Sequence, residues 1–211
     1  MIRAKATING VVSRQASMRQ DKDGRQLAAF SVKITVPGAR NNMPGKEVYV
    51  SVSTPAAGFD AQLITVGTRI GASGTLTFKK QGDNIYLNFL AETISPNPES
   101  EKDGIEGTLE FKGTVGKAVE TKRDKKDRPY VSFSAFSTDK VKNVFEFLWV
   151  RFVRFDYEPE AFLQPKAKVQ VSGRLSVTAY DGRLSLDCQA EGMKPWERLP
   201  FTPSSNNHPP F

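Results

Sequence analysis

The sequence has one cysteine, Cys188, and one histidine, His208. A single cysteine leaves no partner for an intrachain disulfide and fits a reducing compartment. With one histidine, set in a Pro/Asn/Ser-rich tail, no Cys/His or Ser/His/Asp set can be assembled, and no His/Cys cluster has metal-ligand spacing. Gly-rich loops matching a phosphate-binding fingerprint are also missing. No apolar run approaches the roughly 18 residues that a membrane span needs, and the opening MIRAKATING has no apolar signal core. A soluble, cytoplasmic protein that is not an enzyme, with no metal and no cofactor, is expected. Acidic residues are in short supply as well: 30 Lys and Arg face 23 Asp and Glu, for a net charge of +7. Acidic polymers or surfaces are therefore natural partners.

The chain repeats itself. GVVSRQASMRQDKDGRQLAAFSVKI, from Gly10, aligns without a gap on GTVGKAVETKRDKKDRPYVSFSAFS, from Gly113, at an offset of 103. Gly10 meets Gly113, Asp21 meets Asp124, Arg25 meets Arg128, and Phe30-Ser31 meets Phe133-Ser134. Further on, SGTL from Ser73 meets SGRL from Ser172, at an offset reduced to 99. Two copies of one domain are expected, at residues 1–94 and 107–194, with a polar linker at 95–106 and a flexible tail at 195–211. Both copies are net basic, with 12 basic and 6 acidic residues in the first and 16 and 12 in the second.

Within each copy the pattern is that of strands, because apolar residues recur at every second position. Ile2, Ala4, Ala6, Ile8 and Val12 share one face of a first strand, matched by Leu109, Phe111 and Val115. A charged turn leads to Ala28, Phe30, Val32, Ile34 and Val36, matched by Val131, Phe133 and Ala135. Val48, Val50 and Val52 define a third strand, matched by Leu148, Val150 and Phe152. GFDAQLI and YEPEAFL follow as short helical candidates, and two more strands close each copy through the turns QGDN and YDGR. The expected fold class is all-β: two tandem five-stranded OB-fold barrels, each with a short helix between strands 3 and 4.

Alternation also defines an outward face, and there the stretch VFEFLWVRFVRF at 144–155 stands out. If Leu148, Val150 and Phe152 face the core, then Phe145, Phe147, Trp149 and Arg151 face away from it. Tyr49 falls at the place of Trp149. Unpaired nucleic-acid bases stack on such rings, and Lys or Arg meets the phosphates. No basic helix of the kind that reads duplex DNA is evident. Phe30 and Phe133 belong to the core, as does Cys188.

Both copies resemble bacterial single-stranded DNA-binding proteins. MIRAKATINGVVSRQ resembles the first strand of that family, and Phe30 to Val36 the second. Tyr49 and Trp149 sit near its stacking tryptophan of the third strand, and SGTLTF and SGRLSV resemble the segment after the helix. The resemblance covers nearly all of residues 1–194 and is to the tandem variety, in which a dimer of two-domain chains presents four OB-folds. It implies sequence-independent coating and protection of single-stranded DNA in replication, recombination or repair, and a homodimer.

In that role Trp149, Phe147, Phe136, Tyr130, Tyr49 and Tyr86 would stack on bases, and Arg151, Arg128, Lys122, Arg123, Lys33 and Arg14 would track phosphate. The family usually ends in an acidic segment closing with Pro-Phe, which docks replication and repair enzymes. This sequence ends SSNNHPPF, keeping Pro210 and Phe211 without the acidic residues. Two other readings stay open. One is an assembly module of a replication or recombination complex that uses the aromatic stripe as a subunit interface. The other is an RNA-binding OB protein, separable because only RNA offers a 2′-hydroxyl.

Overall fold

A computed structural model describes residues 2–57, 59–96, 98, 100–141, 143–157 and 159–197. Ten strands follow one another: β1 (Ile2–Gln20), β2 (Gln26–Val36), β3 (Lys46–Pro55), β4 (Arg69–Gln81), β5 (Asn84–Pro96), β6 (Gly104–Arg123), β7 (Pro129–Val141), β8 (Val144–Phe155), β9 (Lys168–Tyr180) and β10 (Arg183–Pro195). The molecule is nearly all β, and the ten strands belong to one sheet.

In the first half β1 pairs with β2, β2 with β3, β3 with β5, β5 with β4, and β4 again with β1. The second half repeats the circuit as β6, β7, β8, β10, β9 and back to β6. Only β3–β5 and β8–β10 are parallel. One long strand serves two neighbours in each half. β1 pairs with β4 from Arg3 to Val11 and with β2 from Val11 to Gln20, turning from one to the other where bulges interrupt its register. A bulge bends the strand locally, which lets β1 and its copy β6 change partners without ending.

The two halves meet through β1 and β6, which pair antiparallel from Ile2–Phe111 to Asn9–Gly104. The register carries its own symmetry. Ile2 pairs with Phe111, the copy of Ile8, while Ile8 pairs with Ile105, the copy of Ile2. Each half thus offers the same edge to the other, as the subunits of a twofold dimer do. β5 runs on to Pro96 and β6 starts at Gly104, so strands enter the expected linker from both sides. Inside it, Asp103 accepts the backbone N–H of Thr35 at 2.7 Å and the Arg69 guanidinium at 2.9 Å. Burial pushes its carboxyl up, but the Thr35 and Arg69 bonds outweigh that and hold it below the usual range. At the other end Trp196 N–H donates to the carbonyl of Lys168 at 3.0 Å.

The expected helices are a correction. After β3 there is only a three-residue 3-10 turn, Ala61–Leu63, with the Asp60 carboxylate accepting Gln62 N–H at its start. In the second half the described residues of 159–167 form turns and no helix. Pro159 and Pro165 bracket that stretch, and proline disfavours helical backbone in the residue before it. Five residues between two such points cannot build a stable helix.

Burial alternates along the strands as the apolar pattern requires: Ala6, Ile8, Val32 and Val50 and their counterparts Leu109, Phe111, Ala135 and Val150 are all buried. At one equivalent position the repeated glycine is explained by crowding. A Cβ at Gly74 would run into the Leu90 carbonyl and one at Gly173 into the Gln189 carbonyl, so neither copy tolerates a side chain there. The charged turns also fold alike. Asp21 accepts the N–H groups of Asp23 and Arg25, and Asp124 those of Lys126 and Arg128.

The two cores differ by an exchange of size. In the first half Val52 pairs with Phe89; at the same place in the second half Phe152 pairs with Cys188. Phe152 packs on Phe111 with ring centroids 4.9 Å apart and on Phe133 at 5.1 Å. Cys188 is small because its neighbour is large. Interiors fill to near-crystalline density, so volume added on one strand must be removed from the next.

Two predictions follow from this exchange. Cys188→Phe alone overfills the core and costs about 1–3 kcal/mol, and Phe152→Val alone opens a cavity at a cost of roughly 3 kcal/mol. The double variant restores the arrangement of the first half, so chemical denaturation should show it more stable than either single variant. Burial also pushes the Cys188 thiol up to about 12. Below that pH the thiol stays neutral, so alkylation near pH 8.5, the ordinary thiol pKa, should fail in the folded protein. It should proceed once denaturant exposes the residue.

Candidate nucleic-acid interface

The outer faces of β7 and β8 carry a ladder of aromatic rings. β7 and β8 pair so that Phe136 lies opposite Trp149, Thr138 opposite Phe147, Lys140 opposite Phe145 and Tyr130 opposite Phe155. Inward neighbours Leu148, Val150 and Phe152 are buried, while Phe147 is 43% and Trp149 48% exposed. Period-two alternation alone forces this split, since a strand cannot bury successive side chains on one face. Phe136 is half-buried between its neighbours, edge-on to Phe147 at 5.4 Å and tilted against Trp149 at 4.8 Å. β6 supplies the bed beneath them: a Cβ at Gly116 would stand 3.1 Å from the Trp149 ring. Glycine there lets the indole lie down on the sheet, supported on one side and open on the other. Sequence reasoning missed Gly116; its first-half counterpart is Ser13, so the gapless alignment held a signal.

Tyr130 stands further along, tilted on Phe155 with centroids 5.6 Å apart. Six residues separate Trp149 from Phe155, or about 20 Å of strand at ~3.3 Å per residue. The second-half candidates therefore form two stations on one face. Phe136, Phe147, Trp149 and Arg151 make one. Tyr130, Lys122, Arg123 and Arg128 make the other, where Lys122 pairs with Tyr130 and Arg123 with Pro129 across the β6–β7 hairpin. Phe145 and Phe155, both exposed, are further members that the candidate set left out.

The first half is equipped differently at the same positions. Lys33 pairs with Tyr49 where Phe136 pairs with Trp149. Lys79 pairs with Tyr86 where Thr178 pairs with Ser185. Tyr49 and Tyr86 are 61% and 49% exposed. Leu90, outward on β5, is also exposed and was not anticipated. Arg14 is exposed on β1 opposite Ser31, one row from Lys33.

The basic candidates are less free than the sequence suggests. Lys33 bonds Glu47 at 2.8 Å, Lys122 bonds Glu120 at 2.5 Å, and Arg151 bonds Asp187 at 2.5 Å. Arg123 holds Asp127 at 3.3 Å, and Arg128 holds Asp124 at 2.7 Å with Asp156 at 3.9 Å. The hydrogen bonds that Lys33, Lys122 and Arg128 donate to Glu47, Glu120 and Asp124 respectively raise the pKa values of these cations. These cations keep their charge at any working pH. Of the six, Arg14 alone makes no ion pair among the described residues. Exposed pairs are worth little and exchange readily, so an incoming phosphate can replace the carboxylate. Each exchange returns less than a free cation would.

Pro210 and Phe211 lie outside the described residues. Among the described residues no cluster of three or more His, Cys, Asp or Glu is placed to hold a metal, and no helix is long and apolar enough to cross a membrane.

No protein-family model matches the chain, and no curated protein matches it in sequence. Solved structures do. The wild-type single-stranded DNA-binding protein from Thermus aquaticus is 17% identical with a TM-score of 0.46, the match covering 97% of this chain and 98% of that one. The small single-stranded DNA-binding protein from Streptomyces coelicolor is 18% identical, TM-score 0.34, over 43% of this chain and 92% of its own. The N-terminal domain of the PriB protein from Thermoanaerobacter tencongensis is 22% identical, TM-score 0.30, over 45% and 98%. The chain thus has bacterial single-stranded DNA-binding proteins as its structural neighbours.

Proposed function

We propose that this chain binds single-stranded DNA without sequence preference, by stacking bases on the outer aromatic rings and exchanging carboxylate partners for phosphate. The observation that carries the reading is the Phe136–Phe147–Trp149 cluster. Three rings gather on an outer face, the Trp149 indole against Gly116 and the cluster half open to water, where an inward-only core would place none. Base stacking on such a platform is worth about 1–3 kcal/mol per base and accepts any base, because each has a π-face. Each half is taken to be an OB-fold barrel, with units at 1–94 and 107–194, since the pairing circuit and the repeat both support that division. Replication, recombination or repair is the proposed setting, a homodimer the proposed form, and Pro210-Phe211 the proposed hook for partner enzymes.

The decisive titration follows intrinsic fluorescence against oligo-dT in a Trp196→Phe variant, which leaves Trp149 as the one indole. Quenching is expected, together with affinity that falls with salt by a log–log slope of about −0.7 per phosphate neutralised. Absent quenching and absent binding would transfer the stripe to a subunit interface. The asymmetry of the halves gives a second expectation. Trp149→Ala should cost about 1–3 kcal/mol of affinity, and Tyr49→Ala clearly less, because Trp149 is braced by Phe136 and Tyr49 stands beside Lys33. Equal losses would contradict a stronger second half.

A further inference from the structure

Tyr180 belongs to none of the sites anticipated from the sequence, yet it is 49% exposed on the outer face of the second half. It closes β9, opposite Arg183, at the base of a tight hairpin whose two tip residues, Asp181 and Gly182, both have positive φ, 48° and 69°. Two-residue turns of that hand match the twist of the flanking strands and hold them rigidly. The hairpin is also anchored to the other half. Ala179 N–H donates to the Pro37 carbonyl at 2.9 Å, Ala39 N–H donates to the Ala179 carbonyl at 2.8 Å, and the Lys46 ammonium donates to the Gly182 carbonyl at 2.5 Å. From the same first-half loop, Arg40 places its guanidinium 6.0 Å from the Tyr180 ring centroid. An exposed ring and a cation have thus been brought together by residues about 140 positions apart in sequence.

The path from the stacking cluster to this place is a groove, crossed by the exposed pair of Arg183 and Asp83, 3.9 Å apart. β8 and β10 pair only at Arg151–Asp187, Phe152–Cys188 and Val153–Gln189. Toward the start of each strand lies a groove of about 380 Å³, with Phe147, Trp149 and Arg151 on one wall and Arg183 and Ser185 on the other. Lys80 of the first half also lines it. Beyond Arg183, one strand across, is Tyr180.

We propose that Tyr180 and Arg40 form a base-stacking and phosphate-binding subsite at the seam of the two halves, reached by a single strand that leaves Trp149 and crosses the Arg183 groove. The proposal rests on the reading of the chain as a single-strand binder and adds that its site is composite. The second half supplies the rings, while the first supplies the cation at the far end and Lys80 along the way. A strand held this way would lock the halves together, since it touches both.

The test is a length series of oligo-dT with the full chain, comparing Tyr180→Ala, Tyr180→Phe, Arg40→Ala and Trp149→Ala, with circular dichroism melts to confirm folding. For the shortest oligomer that quenches Trp149, Tyr180→Ala should change nothing and Trp149→Ala should abolish quenching. For oligomers long enough to cross the groove, Tyr180→Ala should weaken binding about tenfold, within the range of one lost stack, while Tyr180→Phe retains it. Arg40→Ala should lower the salt slope by about 0.7 on the long oligomers alone. Unaltered affinity of Tyr180→Ala and Arg40→Ala at every length, with Trp149 still quenched, would overturn the seam site and leave the single-strand reading standing. Failure of the unsubstituted protein to bind any oligomer would overturn both.

Discussion

Every contact between the two halves depends on the antiparallel pairing of β1 with β6. That ladder joins two five-strand circuits into one sheet, and its register, in which each residue meets the copy of its mirror position, relates the halves as a twofold dimer. A slip of one residue would turn every side chain on one of the strands to the opposite face. Ile2 and Ile8 would leave the core, and Arg3 and Lys5 would enter it. The register is therefore held by the cost of burying charge. Because it is held, the β9–β10 hairpin reaches the β2–β3 loop, and the β4–β5 hairpin reaches β8, where Glu146 accepts the N–H of Gly82 at 2.9 Å. Position 46 is a lysine donating to one hairpin; its copy, position 146, is a glutamate accepting from the other. The same clasp is made twice with opposite charge.

Two copies of one sequence have diverged along separable lines. Inside, the change conserves volume: Val52 beside Phe89 becomes Phe152 beside Cys188. Outside, Lys33 and Tyr49 have become Phe136 and Trp149, and Ser13 has become Gly116, which makes room for the indole. The interior exchange keeps the fold, and the exterior one changes what the face can hold. A tyrosine beside a carboxylate-paired lysine offers one ring and a partly cancelled charge. Three rings in contact offer a broader apolar platform that does not depend on ionic strength.

Charge and aromaticity divide the work between them in the proposed function. The net charge of +7 sets a long-range preference for anions. Close to the sheet that charge is largely matched, with Arg151 on Asp187, Lys33 on Glu47 and Arg128 on Asp124. Carboxylates beside the cations keep the side chains oriented and yield to phosphate at small cost. Affinity then rests more on the rings than the composition implies, which suits a binder indifferent to base sequence.

Much of this was legible in the chain alone. The repeat, the inward sets from Ile2 to Cys188, the outward placement of Tyr49 and Trp149 and the Asp-to-Arg turns all follow from local rules, because a strand alternates with period two and a turn closes within five residues. The second-half helix is not legible for the opposite reason: YEPEAFL has helical composition, but Pro159 within it and Pro165 beyond it leave too few residues to propagate a helix. Whether a cation is free was not legible either. Arg151 and Asp187 lie 36 positions apart and Arg40 and Tyr180 140 apart, and no local rule couples such distances. The sequence by itself determined which face each side chain takes, through the geometry of the single strand. Tertiary structure alone decided which side chains stand together on that face, because only the pairing of distant strands and the docking of one half on the other brings them within reach.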